Sequence, residues 1–408
     1  MSIYLDNGAT SFPKAPGVGE AMLDYVNNIG ANVNRSTYEA SSEAEMVLIE
    51  CRERLCTLFG TEDITHAVFT PGMTAGLNML LKGFLRPGDH IIVSSLEHNA
   101  MMRPLRQLEA QGVLRPGDHV IVSSLEHNAM MRPIRQLEAQ GVEFSRIPAD
   151  SCGITDPKDI LPLIRPNTRL VAIMHASNVC GTLLPVKEIS DICRERGLPV
   201  ILDAAQTAGH YPVNMKELGL SALCVPGHKG LLGPQGIGAL MLDEEFAKRV
   251  EPLISGGTGS ASDSELLPPY MPDRFESGTL NIPGIFGLNA ALGFILDKGV
   301  QAFRAHEEKL TERFIDGLEG LPLRLAGTKE INKRVGVISI DFTGRDNAEV
   351  AYELDKRGIM TRCGLHCAPS AHKTLGTFPQ GTVRFSIGYA NAECDVDAAI
   401  SAIKEILR

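Results

Sequence analysis

The chain has 408 residues, 44% of them apolar and 22% charged, a balance that fits a packed globular protein and excludes intrinsic disorder. With 39 Lys and Arg against 49 Asp and Glu, the net charge of −10 argues against nucleic-acid or membrane-surface partners, which need basic patches. No apolar run reaches the ~20 residues that span a bilayer, and the opening MSIYLDNGAT has neither a basic nor an apolar signal region, which predicts a cytoplasmic protein.

In chain order, a Val-rich strand is expected at 66–70, followed through TPGMTAGLN by a helix over 74–84. Next comes a repeat. Residues 85–113 and 114–142 are tandem copies that differ only at Ile91/Val120 and Leu105/Ile134. Two copies are too few for a solenoid, so they read as a duplication inside a globular domain. Each copy carries a strand (HIIVSS or HVIVSS), the loop LEHN and a helix. Short Val- and Ile-rich runs predict further strands at 144–148, 170–175, 200–203, 222–225 and 237–242, with a helix at 185–196. Alternating strands and helices predict a parallel or mostly parallel sheet covered by helices. The Gly/Ser-rich stretch 255–265 breaks the pattern. Beyond it, a long helical region over 284–319, strands at 335–342 and 382–387, and helices at 347–358 and 394–407 predict a smaller α+β domain.

Sites in such sheets lie beyond the C-terminal strand ends. Three of those ends carry unusual residues. Asp203 closes strand 200–203, His228 and Lys229 follow the next strand, and Thr74 stands at a helix start after Gly72. Free N–H groups and a hydroxyl at a helix start suit a phosphate. A lysine can form a Schiff base with an aldehyde, and a carboxylate can keep a pyridine nitrogen protonated. Together these requirements describe pyridoxal phosphate. Alone, each residue reads otherwise: the lysine as a surface charge, the aspartate as a helix cap, GPQGIG as a tight turn. Nine cysteines, an odd number with no CxxC pair, predict neither a disulfide framework nor a four-cysteine zinc site, and no metal is expected.

Ordered motifs along nearly the whole chain resemble the cysteine desulfurase/selenocysteine lyase family of class V aminotransferase-fold enzymes. They are YLDNGATSFPK (4–14), LEHNA, SNVCGT (177–182), DAAQ (203–206), GHKGLLGPQGIGAL (227–240), RFESGTLN (274–281), RCGLHCAP (362–369) and VRFSIGYAN (383–391). The compact stretch from Cys367 to Arg384 resembles the branch with a short catalytic loop. The resemblance implies fold-type I: a large domain at 15–260 with a mostly parallel seven-stranded sheet, and a smaller α+β domain from 1–14 and 261–408. It also implies pyridoxal 5'-phosphate as cofactor, a homodimer with shared sites, L-cysteine as substrate and a protein that accepts sulfur.

The resemblance further implies roles. Lys229 would hold the cofactor as a Schiff base, Asp203 would pair with its pyridinium nitrogen, and Gln206 would bond its ring hydroxyl oxygen. Thr74 and His228 would contact the phosphate. Thr279 would reach the phosphate of the other subunit's cofactor. Asn178 and Arg384 would hold the substrate carboxylate. Cys367 would be the nucleophile, with His366 and Arg362 as neighbours able to favour its thiolate. The histidine of LEHN, His98 or His127, would stack on the ring. Only one copy can fill the sheet position, which the family's sheet puts beside strand 144–148. Copy two is expected there, because it keeps the strand–helix–strand crossover contiguous, and His127 is the expected catalytic histidine.

Two features depart from the simplest pattern. Pro226 stands where the family carries a hydroxyl residue, which removes one phosphate contact. Cys363, four residues before Cys367, is read as packing, with a redox pair as the other reading. Other functions stay open from the sequence: a different class V reaction, such as transamination or cysteine sulfinate desulfination, or a cofactor-binding protein without catalysis.

Overall fold

The computed structural model describes residues 2–33, 38–84, 90–94, 145–260 and 264–408. Seven strands form one sheet in the order Ala67–Thr70, Gly238–Leu242, Ala222–Pro226, Val200–Asp203, Thr168–Met174, His90–Ser94, Ser145–Ile147. Neighbours run parallel except Gly238–Leu242, which is antiparallel to both strands beside it. The strands read as continuous apolar runs because both faces are covered. Val171, Ile173, Leu202, Leu223 and Val225 join one apolar core, whereas Leu170, Ala172, Ile201, Ala222 and Cys224 join the other. The helix Met73–Phe84 buries Leu77, Leu80 and Leu81 in the second core. The helix Glu39–Phe59 covers the first, contributing Leu48, Leu55 and Phe59.

The strand of the first repeat copy occupies the sheet. His90–Ser94 pairs in parallel with both Ser145–Ile147 and Thr168–Met174, and Ile92 is fully buried there. The expectation that copy two fills this position is therefore corrected: the duplication lies within the crossover to Ser145. Two physical facts explain why chain order misleads here. The two strand segments differ by one methylene at Ile91/Val120, so packing hardly discriminates between them. Lengthening a connection also costs little, about 0.6 kcal/mol per doubling. The LEHN loops at 96–99 and 125–128 lie outside the described residues.

A second, four-stranded antiparallel sheet runs Arg362–Gly364, Thr382–Ser386, Val337–Asp341, Arg324–Ala326. Helices Val300–Gly317, Asn347–Lys356 and Glu393–Ile406 pack on it through Leu310, Phe314, Val350, Leu354, Val396 and Ile403. Leu5 belongs to this core, and Ile3–Tyr4 pairs with Ile359–Met360. The expected helical region over 284–319 is two helices, Ile282–Lys298 and Val300–Gly317, broken at Gly299, whose φ of 80° suits glycine. The first of them carries Ile285, Leu288, Leu292 and Ile295 into the core of the seven-stranded sheet. By packing this first helix goes with the larger sheet; in the second, Phe303 still joins that core and Leu310 joins the core of the smaller sheet.

Candidate active site

The C-terminal strand ends and the small domain enclose a cavity of about 660 Å³, within the range of small-molecule sites. Thr74, Asn178, Asp203, Gln206, His228, Lys229, Cys367 and Arg384 all line it. Eight residues read from separate motifs thus meet in one place.

Lys229 stands in a tight loop after Ala222–Pro226. The loop is closed by bonds from Leu232 N to the Lys229 carbonyl (2.8 Å) and from Gly233 N to the Gly227 carbonyl (2.8 Å). The turn that follows Asp203 packs directly on this loop. Gly209, at φ 91°, comes so near that a Cβ there would lie 2.3 Å from the Gly230 carbonyl oxygen. That contact sets Asp203 and Lys229 across from one another. Burial lowers Lys229 to about 8, with Arg384 and Arg362 pushing the same way and Asp203 opposing them. Burial raises Asp203 to about 6, against a bond from the Ala205 N–H and the pull of Lys229. At pH 7 Asp203 remains mainly a carboxylate and Lys229 mainly an ammonium, though with a free-amine share far above that of an ordinary lysine.

Thr74 lies in the first turn of Met73–Phe84, and Pro71, Gly72 and Met73 line the cavity beside it. The strand ahead of that helix is held by Glu276 of the RFESGTLN motif. Its carboxylate takes two bonds from Arg52 (3.0 and 2.7 Å) and one from the Phe69 N–H (2.6 Å). Gln206 uses one amide N–H on the Gly8 carbonyl (3.1 Å), which leaves its second N–H for a ligand. His175, to which no role was read from sequence, donates its backbone N–H to the Asp203 carbonyl (2.8 Å), and its ring bonds Thr207.

On the small-domain side, Arg384 is buried on the strand Thr382–Ser386. It donates to Asp6 (2.7 Å) and to the Asn178 carbonyl (3.1 Å). Asn178 Nδ2 in turn donates to the His366 carbonyl (2.8 Å). Arg362 faces Arg384 across the strand pair and also lines the cavity. Between these cations the chain turns through two left-handed residues, His366 (φ 46°) and Cys367 (φ 58°), each costing about 1–2 kcal/mol. The Asn178 bond, the Ala368 N–H on the Leu365 carbonyl (2.8 Å) and a His366–Thr382 bond (2.9 Å) hold that turn. It leaves the Cys367 thiol exposed at the cavity.

His366 does not supply the expected charge. Burial and the nearby Arg384 hold its pKa well below the usual histidine range, so it is neutral at pH 7. The cations beside Cys367 are the arginines. Cys363 pairs with Val383 of the small-domain core, and side chains alternate faces along a strand. Cys363 is not among the residues lining the cavity. Thr279 also stands apart, in a separate hollow of about 170 Å³ with Thr258 and Asp273.

These residues fit pyridoxal phosphate. Four cavity-lining residues each keep a buried polar atom without a hydrogen-bond partner: His228 Nδ1, Asn178 Oδ1, His366 Nδ1 and Arg384 Nε. Buried polar groups are normally satisfied, so orphans converging on one cavity mark places for a polar ligand. Pro226 lines the same cavity and brings no donor.

The placement of the first copy's strand makes His98 the histidine that follows directly from the sheet. His98→Ala is expected to lower activity by about 10–100-fold, the scale of a lost ring-stacking and proton-handling group, with His127→Ala near wild type. Steady-state rates of the two variants decide this, and a loss confined to His127→Ala would reverse it.

The profile described as aminotransferase class-V matches residues 3–115 and 105–399, two segments that overlap at the end of the first repeat copy. A probable cysteine desulfurase of Pyrococcus abyssi is 32% identical over 412 residues, covering 100% of this chain and 94% of the relative. An apo cysteine desulfurase structure from Thermococcus onnurineus NA1 superposes with a TM-score of 0.86 at 32% identity, covering 100% and 94% of the two chains. The cysteine desulfurase CsdA of Escherichia coli does so at 0.82 and 27% identity, covering 100% and 96%.

Proposed function

The chain belongs to the class V aminotransferase family, and on that premise we propose that it is a pyridoxal-phosphate-dependent cysteine desulfurase. It converts L-cysteine to L-alanine and collects the sulfur on Cys367. The observation that carries this reading is that Lys229 and Cys367 line one cavity, with Asp203 on the sheet side and Arg384 on the other.

Pyridoxal phosphate, when bound, supplies an aldehyde that captures amines and a ring that takes up electrons from Cα. Lys229 would hold the cofactor covalently and, as the free amine, would move the Cα proton as general base. Asp203, mainly ionised at pH 7, would keep the proton on the ring nitrogen. Thr74, the helix start and His228 would receive the phosphate, and Gln206 the ring oxygen. The Arg384 Nε–H, which lacks a partner, and the second Nδ2–H of Asn178 would donate to the substrate carboxylate. Cys367 thiolate then attacks the substrate sulfur. The Sγ–S bond forms and the Cβ–S bond breaks. Its electron pair stays with Cβ, which takes a proton. Sulfur is oxidised by two electrons as carbon is reduced by two, so no outside oxidant is needed. A persulfide remains on Cys367 for an acceptor protein.

A homodimer completes this reading: Thr279, remote from the cavity of its own chain, serves the cofactor phosphate of the partner subunit. An exposed Cys367 favours sulfur transfer over transamination, which has no use for a thiol. The test is to incubate the holoenzyme with L-cysteine alone. Alanine and protein-bound persulfide are expected in equal amounts in the first turnover. Absence of alanine would remove the assignment.

A further inference from the structure

We infer that Lys14 is a positioning residue for Lys229, and that residues 10–14 clamp the peptide carrying that lysine. The inference rests on the cofactor reading above and adds to it a residue to which neither the motifs nor the cavity lining assigns a role.

The His228 carbonyl, whose carbon is bonded directly to the Lys229 nitrogen, receives four donors from the N-terminal segment. They are Lys14 Nζ (2.8 Å), Thr10 Oγ1 (3.0 Å), Ser11 N (3.0 Å) and Ser11 Oγ (3.2 Å). The ammonium also donates to Thr10 Oγ1 and Ser11 Oγ, at 3.1 Å each. An ammonium has three N–H donors and no acceptor, so all three are used. Each hydroxyl accepts one of them and passes its own hydrogen to the same carbonyl. The network is closed and contains no carboxylate, so it is not a surface ion pair.

The clamp is anchored at both ends. At one, Tyr4 Oη donates to the Thr10 carbonyl (2.9 Å); at the other, the Lys14–Ala15 peptide takes a bond from Tyr389 Oη, of the small domain, on its carbonyl (2.9 Å) and donates its N–H to the Leu232 carbonyl on the far side of the lysine loop (3.1 Å). The same segment meets the other site groups through Asp6 on Arg384 and the Gly8 carbonyl on Gln206. A shift of the His228–Lys229 peptide would move the reacting amine and the His228 ring together. Small misplacements of a reacting group are costly even when binding is intact.

Lys14→Met keeps the aliphatic stem and removes the three donors; Lys14→Arg keeps a charged donor. Two rates are read in each. One is the formation of a borohydride-trappable lysine adduct after pyridoxal phosphate is added to the apoprotein. The other is solvent exchange of the Cα hydrogen of L-alanine in the loaded enzyme. Thermal midpoints are measured alongside. In Lys14→Met both rates are expected to fall by about tenfold or more, with the midpoint within about 4 °C of wild type and Lys14→Arg recovering part of the loss. Wild-type rates in Lys14→Met would overturn the inference. So would losses that merely follow a lowered midpoint, with Lys14→Arg no better than Lys14→Met. Failure of the wild-type protein to form the adduct would instead overturn the cofactor reading itself, and this inference with it.

Discussion

Lys229→Ala is expected to stop turnover, lowering alanine formation from cysteine by at least about 10³-fold, because the variant loses both the covalent anchor and the general base. The fold should survive. The lysine stands among like charges, Arg384 and Arg362, and burial already disfavours its ammonium, so its removal relieves repulsion as well as deleting the attraction to Asp203. The wild-type amine has its own signature. With Lys229 near 8 rather than the usual lysine value of 10.5, the rate at which it captures an added aldehyde should rise with pH and level off a little above 8. An ordinary lysine would keep climbing past 10. Turnover retained in Lys229→Ala, or a capture rate still rising at pH 10, would refute the assignment of this residue.

Cys367→Ser should separate the two halves of the reaction. A serine hydroxyl is not ionised near neutral pH and does not attack sulfur, so alanine release from L-cysteine is expected to fall by about 10³-fold or more. The steps that depend on Lys229 should persist. Exchange of the Cα hydrogen of L-alanine with solvent should stay within about threefold of wild type. Cysteine sulfinate should still yield alanine, because its sulfur departs as sulfur dioxide and needs no nucleophile. Full alanine release from cysteine by Cys367→Ser would take the sulfur-transfer role away from this residue. Loss of Cα exchange as well would mean that the substitution had disturbed the cavity rather than the nucleophile.

Much of the site was legible because it sits at strand ends, and strands are written locally. The runs at 200–203 and 222–225 alternate between two apolar cores, so neighbouring residues alone fix where each strand stops. Asp203, Lys229 and Thr74 follow from those stops. The electrostatic state of the site was not legible in the same way. His366 looks like a charge donor beside Cys367, yet it is neutral because burial, and after it Arg384 on the next strand, act on it. Asp6 and Lys14 carried no signal beyond their motif, since their partners at Arg384 and His228 lie far along the chain.

The amino-acid sequence by itself determined the class of fold, the family and the set of side chains able to handle a pyridine aldehyde, because hydrophobic period and ordered motifs are properties of adjacent residues. Only the tertiary structure decided which repeat copy enters the sheet, since two apolar exchanges between the copies leave the chain no local preference. It alone decided that the helix Ile282–Lys298 goes with the larger sheet, on whose core it spends its apolar face. It also decided how the Cys367 thiol is presented. Two left-handed residues are unfavourable wherever the chain is free, and they persist here because Asn178 and Thr382, remote in sequence, hold the turn from either side.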